Sequence, residues 1–210
     1  MEELIYSFVC LVPVVLAIWK KAQRNNKLAP FVFYLMLSFL VEMGMIFTSL
    51  NGINNHWLVN WWLLIEVFVL GFLFFTWYGT HYYRCLLIFA LITFFAIWLF
   101  QTISFGLDQM KSLTLVPEHF FVIVFAGLYL IRFIRVTDRL PFRDPQFWIA
   151  SGLFIYFSTS LIIYSAVDML FSEKKPIWYD DYYNILTLGF NYLSYLLYTT
   201  AFLWYSPKKN

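Results

Sequence analysis

The stretch WLVNWWLLIEVFVLGFLFFTWYG, Trp57–Gly79, contains one charged residue, Glu66. A helix needs about 20 predominantly apolar residues to cross the hydrocarbon core of a bilayer. This stretch is therefore long enough to span a membrane. A carboxyl group at the centre of a span costs about 2.5–3.5 kcal/mol on insertion scales, so we expect Glu66 to face other helices or water.

The composition of the whole chain agrees with this stretch. Of 210 residues, 62% are hydrophobic and 12% are charged, whereas soluble domains are roughly 45–50% apolar and 25% charged. The apolar residues form long blocks, which is typical of helical membrane proteins; lipid-facing barrels alternate with period two. The net charge is only +2, so no nucleic-acid partner is expected.

Seven apolar blocks follow one another, and the connections between them leave no room for a soluble domain. We predict an all-α, polytopic membrane protein with a single domain over residues 1–210 and seven transmembrane helices. The predicted spans are 4–19, 31–50, 57–79, 83–101, 117–135, 145–171 and 182–205.

Cationic residues predict the orientation, because short loops rich in Lys and Arg stay in the cytoplasm. Eleven of the fourteen follow helices 1, 3 and 5 or close the chain. We therefore predict an amino terminus outside and a cytoplasmic carboxyl terminus. The eleven are Lys20, Lys21, Arg24, Lys27, Arg84, Arg132, Arg135, Arg139, Arg143, Lys208 and Lys209.

The segment after helix 5, RFIRVTDRLPFRD, is the most basic of these loops. Cations near a membrane surface attract anionic lipid headgroups by about 1 kcal/mol each. We predict a cytoplasmic basic patch that contacts membrane lipids. The alternative is that these residues determine topology alone. The patch consists of Arg132, Arg135, Arg139 and Arg143.

Polar residues recur at helical spacing within two of the other spans. In helix 7 they are separated by steps of three, four, three and four, and in helix 2 by steps of four, four, three and four, so each set lies on one face. The helix 7 set is Asn184, Thr187, Asn191, Ser194 and Tyr198; the helix 2 set is Tyr34, Ser38, Glu42, Met45 and Ser49.

Three of these spans place a polar group at a similar depth. With a rise of 1.5 Å per residue, Glu42 lies roughly 12 Å and Glu66 about 13 Å below the outer ends of their helices, and Asn191 lies about 10 Å below Asn184. His119 on helix 5 and Asp168 on helix 6 come closer to the outer surface.

This coincidence of depth predicts an outward-opening polar cavity walled by helices 2, 3, 5, 6 and 7. The alternative is that these groups bond only to one another across helices, at about 0.6 kcal/mol each. The candidate ligand-binding residues are Glu42, Glu66, Asn191, Ser194, His119 and Asp168.

Three specific functions, which are retinal binding, zinc binding and catalysis by a serine nucleophile, lack the residues that they require. A retinal protein needs a lysine in its last helix, and helix 7 has none. No His-x3-His pair or similar spacing gathers His56, His119, Glu42, Glu66 and Asp168 into a zinc site, and no Gly-x-Ser-x-Gly nucleophile elbow is present. We therefore predict no catalytic residue, no metal and no cofactor.

Three runs, NNHWLVNWWLLIEVFVLGFLFF, DPQFWIASGLFIYFS and NYLSYLLYTTAFLW, resemble a family of small seven-helix proteins of Bacteroidetes-type bacteria. Glu66 matches the acid of helix 3 in that family. The start of helix 6 matches at Asp144, Phe147, Trp148 and Gly152. The resemblance implies a multi-pass protein of the bacterial inner membrane, and it implies no substrate.

Three function classes follow from these features. We favour a non-enzymatic sensor or accessory subunit that binds a small ligand, a lipid or another membrane protein, in a larger complex. The first alternative is a membrane-embedded lipid hydrolase with Glu42, Glu66 and His119 near the chemistry, because paired acids in a dry site can act as acid and base. The second is a small-solute transporter, since Pro145-Gln146 resembles the proline–glutamine signature of small sugar transporters.

Overall fold

The computed structural model describes the backbone of residues 2–108, 112–136, 140–171 and 179–206, and the side chains of residues 9–108, 114–135, 140–163 and 188–206. Within these ranges the chain is helical and contains no strand. It forms seven α-helices, which confirms the predicted all-α fold. They are α1 (Glu2–Trp19), α2 (Ala29–Leu50), α3 (His56–Trp77), α4 (His81–Phe105), α5 (Ser112–Val136), α6 (Pro145–Phe171) and α7 (Tyr179–Trp204).

Five of the helices, α2 to α6, are long and apolar enough to cross a membrane over their described residues. Large apolar side chains such as Phe89, Ile92 and Ile103 are exposed on the outside of the bundle. Exposed apolar surface of this extent is rare on soluble monomers. The fold is therefore that of a membrane-embedded protein.

Six of the seven helices form a closed ring. Helix α1 packs against α2, α2 against α3, α3 against α5, α5 against α6, α6 against α7, and α7 returns to α1. Helices three apart or more in the chain are thus brought around a common interior. Any polar group that faces this interior is separated from lipid by a neighbouring helix.

Helix α4 lies outside this ring, over the junction between α3 and α5. It is the most apolar and the least buried of the five membrane-compatible helices. Polar bonds attach its end to α3: the Trp98 Nε1–H donates to the Asn60 carbonyl at 2.9 Å, and the Asn60 amide donates to the Leu107 carbonyl at 2.6 Å. These bonds fix α4 without giving it a place in the interior.

Capping and turn residues are found at the helix ends. The Asp144 carboxylate accepts a hydrogen bond from the Gln146 N–H at 2.8 Å and so caps α6. Gly52, after α2, has a φ of 66°, which glycine adopts without steric cost. Helix α6 has the predicted bounds, α1 and α2 end at the predicted residues, and the remaining helix ends differ from the prediction by one to five residues.

The predicted start of helix 5 is wrong. The sequence suggests a first helical residue at Pro117, but α5 begins at Ser112 and contains Pro117 in its interior. A proline inside a helix removes one backbone hydrogen bond, and it is tolerated best close to the amino end. The earlier start places Glu118 and His119 in the second turn of α5, where both are buried in the bundle.

Candidate functional site

A cavity of about 200 Å³ lies inside the ring, between α2, α3, α6 and α7. It contains four of the candidate ligand-binding residues, Glu42, Glu66, Asn191 and Ser194. The structure thus brings together polar groups from three helices that the sequence related only by depth. Its other lining residues are Tyr34, Leu35, Ser38, Val41, Met45, Trp62, Tyr156, Tyr195 and Tyr198.

Helix α5 does not contribute to this lining, which differs from the predicted cavity walled by five helices. His119 is buried beside Phe157, with ring centroids 5.1 Å apart. Its Nδ1 lies 2.8 Å from the Leu115 carbonyl oxygen, one turn earlier in the same helix. His119 therefore stands behind the cavity wall.

Glu42 is the cavity acid contributed by α2. It is half-buried, and its Oε2 accepts a hydrogen bond from the Cys10 thiol of α1 at 3.4 Å. Cys10 is a reduced cysteine. A thiol is a weak donor, so this hydrogen bond is weaker than one from a hydroxyl group would be.

Glu66 is the cavity acid contributed by α3, and it is more deeply buried. Its Oε1 accepts a hydrogen bond of 2.8 Å from the Tyr34 hydroxyl of α2. On its other side its carboxyl group lies within hydrogen-bonding range of Glu118 on α5. Glu66 therefore connects the cavity with a second carboxyl group behind it.

Glu118 has no exposed surface. Among the described side chains, no hydroxyl, amide or ring N–H donates to either of its carboxyl oxygens. The Nδ1 of His119 is 3.5 Å from Oε2, but that nitrogen is occupied by the Leu115 carbonyl. A buried carboxyl group that only a second carboxyl group can hydrogen-bond is costly, at about 1–3 kcal/mol or more.

Glu66 and Glu118 together form a carboxyl pair. Two carboxylates in contact in an apolar interior do not both ionise, because each negative charge opposes the other and neither is solvated by water. The pair therefore holds at least one proton and carries at most one negative charge. With Glu42 it gives the cavity an acidic lining.

The polar face of α7 points partly into the cavity, as predicted. Asn191, Ser194 and Tyr198 are buried and line it. The Ser194 hydroxyl lies 3.0 Å from the Phe190 carbonyl and 3.3 Å from the Gly152 carbonyl of α6, so it serves helix packing as well.

Three predicted polar residues lie outside the described side chains. Asn184 and Thr187 belong to the amino half of α7, and Asp168 belongs to the last turns of α6. The predictions for these three residues stay predictions.

Aromatic side chains make up much of the cavity wall, and sequence reasoning missed this. A tryptophan near the end of an apolar block commonly lies in an interfacial belt, but Trp62 is 9% exposed, stacks on Tyr34 at 6.0 Å and lines the cavity. Tyr195 and Tyr198 meet edge to face at 5.9 Å. A signal was present for two of these residues, because Tyr34 and Tyr198 share the polar faces of α2 and α7.

The predicted basic patch divides into different environments. Arg135 and Arg143 are exposed. Arg132 turns into the end of the bundle, where its guanidinium lies 5.7 Å from the centre of the Tyr83 ring and its Nη1 is buried. Arg132 thus differs from Arg135 and Arg143 in its surroundings, because its flat guanidinium group packs on an aromatic face. Arg139 lies outside the described residues.

No group of three potential metal ligands occurs among the described residues. Comparison with models of protein families, with curated proteins and with solved structures finds no match to this chain. The site is therefore interpreted from its own geometry.

Proposed function

We propose that this chain is a non-enzymatic sensor or accessory subunit that binds a small ligand in the polar cavity. The observation that carries the proposal is the convergence of Glu42, Glu66 and Asn191, from three different helices, on one space inside the ring. Among the described residues no hydrogen-bond partner reaches the Asn191 amide, so its donors and its acceptor are available to a ligand. Ionisable groups inside membranes commonly mark ligand and ion sites.

The size of the cavity limits the ligand. An apolar cavity of about 150 Å³ is large enough to hold benzene, and this cavity measures about 200 Å³. A whole phospholipid does not fit, whereas a molecule of roughly six to ten heavy atoms does, in proportion to benzene. A small metabolite or a single lipid headgroup is therefore the ligand class that we propose.

The proposed setting is the inner membrane of a bacterium, with seven spans, the amino terminus outside and the carboxyl terminus in the cytoplasm. The distribution of the cations supports this orientation. Membrane lipids and another membrane protein, in a larger complex, are the proposed partners. The exposed apolar face of α4 supports such contacts, because α3 and α5 are the main packing neighbours of α4 among the described helices and leave this face uncovered.

Filling the cavity tests the ligand proposal. Ser38 lines the cavity, so Ser38→Phe is expected to displace the ligand, while Ser49→Phe places the same ring on an exposed position of the same helix. Wild type and Ser49→Phe, purified from native membranes in mild detergent, are expected to show the same bound small molecule by native mass spectrometry. Ser38→Phe is expected to lack it at an unchanged melting temperature.

Equal ligand content in both variants, with both folded, would contradict the proposal. The absence of any bound molecule from wild type after gentle extraction would contradict it as well, because a cavity that is empty in its native membrane has no ligand function.

Thiol labelling tests the orientation. Cys85 is exposed at the start of α4, on the proposed cytoplasmic side. In a Cys10→Ser background, a membrane-impermeant maleimide is expected to label Cys85 only after the cells are permeabilised. Asp108→Cys, at the opposite end of α4, is expected to react in intact cells when both native cysteines are replaced. The reverse pattern overturns the orientation.

One observation favours the lipid hydrolase as a second candidate. The Glu66–Glu118 pair holds a proton, and His119 is close enough to interact electrostatically with Glu66; such a group can act as an acid and a base. Incubating the purified protein with phospholipid vesicles separates the two candidates. Hydrolysis by wild type and not by Glu66→Gln would favour the enzyme, and no hydrolysis by either leaves the binding function.

A further inference from the structure

The charged side chains that line the cavity are all acidic. Glu42 and the Glu66–Glu118 pair place carboxyl groups at the cavity from α2 and α3. The described residues that line it include no Lys, Arg or His. A ligand with a negative charge would lose its hydration beside carboxyl groups, with only neutral amide and hydroxyl donors to replace the water, whereas a cation would exchange water for carboxylate oxygens.

The remaining walls are aromatic. Trp62 and Tyr34 stack with an interplanar angle of 22°, and Tyr195 and Tyr198 meet at 82°, so the rings surround the space in more than one plane. The face of an aromatic ring carries partial negative charge and attracts cations, most strongly for tryptophan. Rings and acids thus favour the same sign of charge.

The combination of carboxyl groups and aromatic rings favours an organic cation over a metal ion. A metal ion needs several oxygen, nitrogen or sulfur ligands at close range, and the described residues hold no group of three such side chains. An alkylated ammonium group is weakly hydrated by comparison and is recognised by aromatic cages. Its size also suits a cavity of about 200 Å³.

We propose that the cavity binds a small organic cation of the ammonium class, with Glu42 and the Glu66–Glu118 pair balancing its charge and with Trp62 and the neighbouring tyrosines packing on its alkyl groups. This assignment rests on the proposed ligand-binding function and names the chemical class of its ligand. An ammonium metabolite and the ammonium headgroup of a lipid share this chemistry.

Titration with choline chloride tests the assignment. Isothermal titration of the detergent-purified protein is expected to show saturable choline binding. The uncharged analogue, in which a tert-butyl group replaces the trimethylammonium group, is expected to bind roughly tenfold or more weakly. Short-chain phosphatidylcholine, added in separate titrations, distinguishes the two sources of the cation: it binds only if a lipid headgroup can enter.

Variants assign the binding to the cavity. Glu42→Gln and Trp62→Leu are each expected to weaken choline binding by roughly tenfold. Asp108→Asn removes an acid at an exposed position away from the cavity lining and is expected to leave binding unchanged. Ser38→Phe is expected to abolish binding and Ser49→Phe to retain it. Melting curves of each variant verify that it is folded.

The outcomes separate the two proposals. If the uncharged analogue binds as tightly as choline, or if folded Glu42→Gln binds choline like wild type, the cation assignment is wrong and the ligand-binding function stands. If choline does not bind but a molecule displaced by Ser38→Phe is found, the cation assignment is again wrong and the ligand-binding function again stands. If Ser38→Phe displaces nothing, both proposals fail.

Discussion

Replacing Glu118 by methionine is expected to stabilise the protein, raising the free energy of unfolding by about 1–3 kcal/mol. The Glu118 side chain has no exposed surface, and apart from the Glu66 carboxyl group no described side chain offers its oxygens a donor. Methionine has a similar length, is flexible enough to fill the same space and needs no hydrogen bond. Its introduction also relieves Glu66 of the neighbouring carboxyl group. Thermal unfolding in detergent measures the change.

Glu66→Met is the comparison for Glu118→Met, because Glu66 has one contact that Glu118 lacks. The Tyr34 hydroxyl donates to Glu66, so this substitution leaves a buried hydroxyl without an acceptor. We expect a smaller gain than at Glu118, or a loss. A lower melting temperature for Glu118→Met than for wild type would show that the carboxyl pair stabilises the fold. A higher one would indicate that the chain retains Glu118 for activity at a cost in stability.

Replacing Gly152 by alanine is expected to destabilise the protein by about 1–3 kcal/mol, the usual cost of overpacking. A Cβ atom at this position of α6 would lie 2.9 Å from Cδ1 of Tyr198 on α7, and closer still to Cε1. The ring cannot retreat freely, because it packs edge to face on Phe31 with centroids 4.8 Å apart. Small residues allow helices in membranes to approach closely, and Gly152 has this role.

Gly189→Ala is the matched control for this prediction. It lies on α7, and a Cβ atom there meets no other described atom within 4 Å. Alanine favours a helix over glycine by about 1 kcal/mol, so this variant is expected to be as stable as wild type or slightly more so. Equal melting temperatures for the two alanine variants would contradict the packing role of Gly152. Because Tyr198 lines the cavity, Gly152→Ala is also expected to weaken choline binding.

The sequence was sufficient for the helices and for much of the cavity. Apolar block length predicted seven helices, because helix formation in this setting requires only a long run without charges. Steps of three and four placed Asn191 and Ser194 on one face of α7 and Glu42 on one face of α2, and depth related them to Glu66. All four line the cavity.

The Glu66–Glu118 pair was not predicted, because Pro117 was interpreted as the first residue of a helix. With a start at Pro117, Glu118 would be the second residue of the helix and close to its outer end, whereas the five additional residues of α5 place it in the second turn, beside Glu66. The aromatic walls were missed for another reason. A tryptophan or tyrosine near the end of an apolar block fits both an interfacial belt and an interior wall, and only the neighbouring helices decide between them.

The order of helices around the ring could not be read from the chain, because α4 is as long and apolar as its neighbours. Its position outside the ring depends on side-chain shape at the α3–α5 junction. A hint was available: α4 has no charged residue between Arg84 and its end at Phe105. A helix without a charged residue can face lipid without burying a charge there, so it does not need a place in the interior of the bundle.

The contact between α1 and α7 has a consequence for biogenesis. Domains form as the ribosome delivers them, amino end first, yet the last helix closes this ring. Until α7 arrives, Glu42 and Glu66 stand at an open cleft towards lipid, and Asn191 is still unsynthesised. Nascent chains halted after α6 therefore contain both cavity acids without an enclosure for them. We expect such chains to be recognised by an insertion chaperone or a quality-control protease.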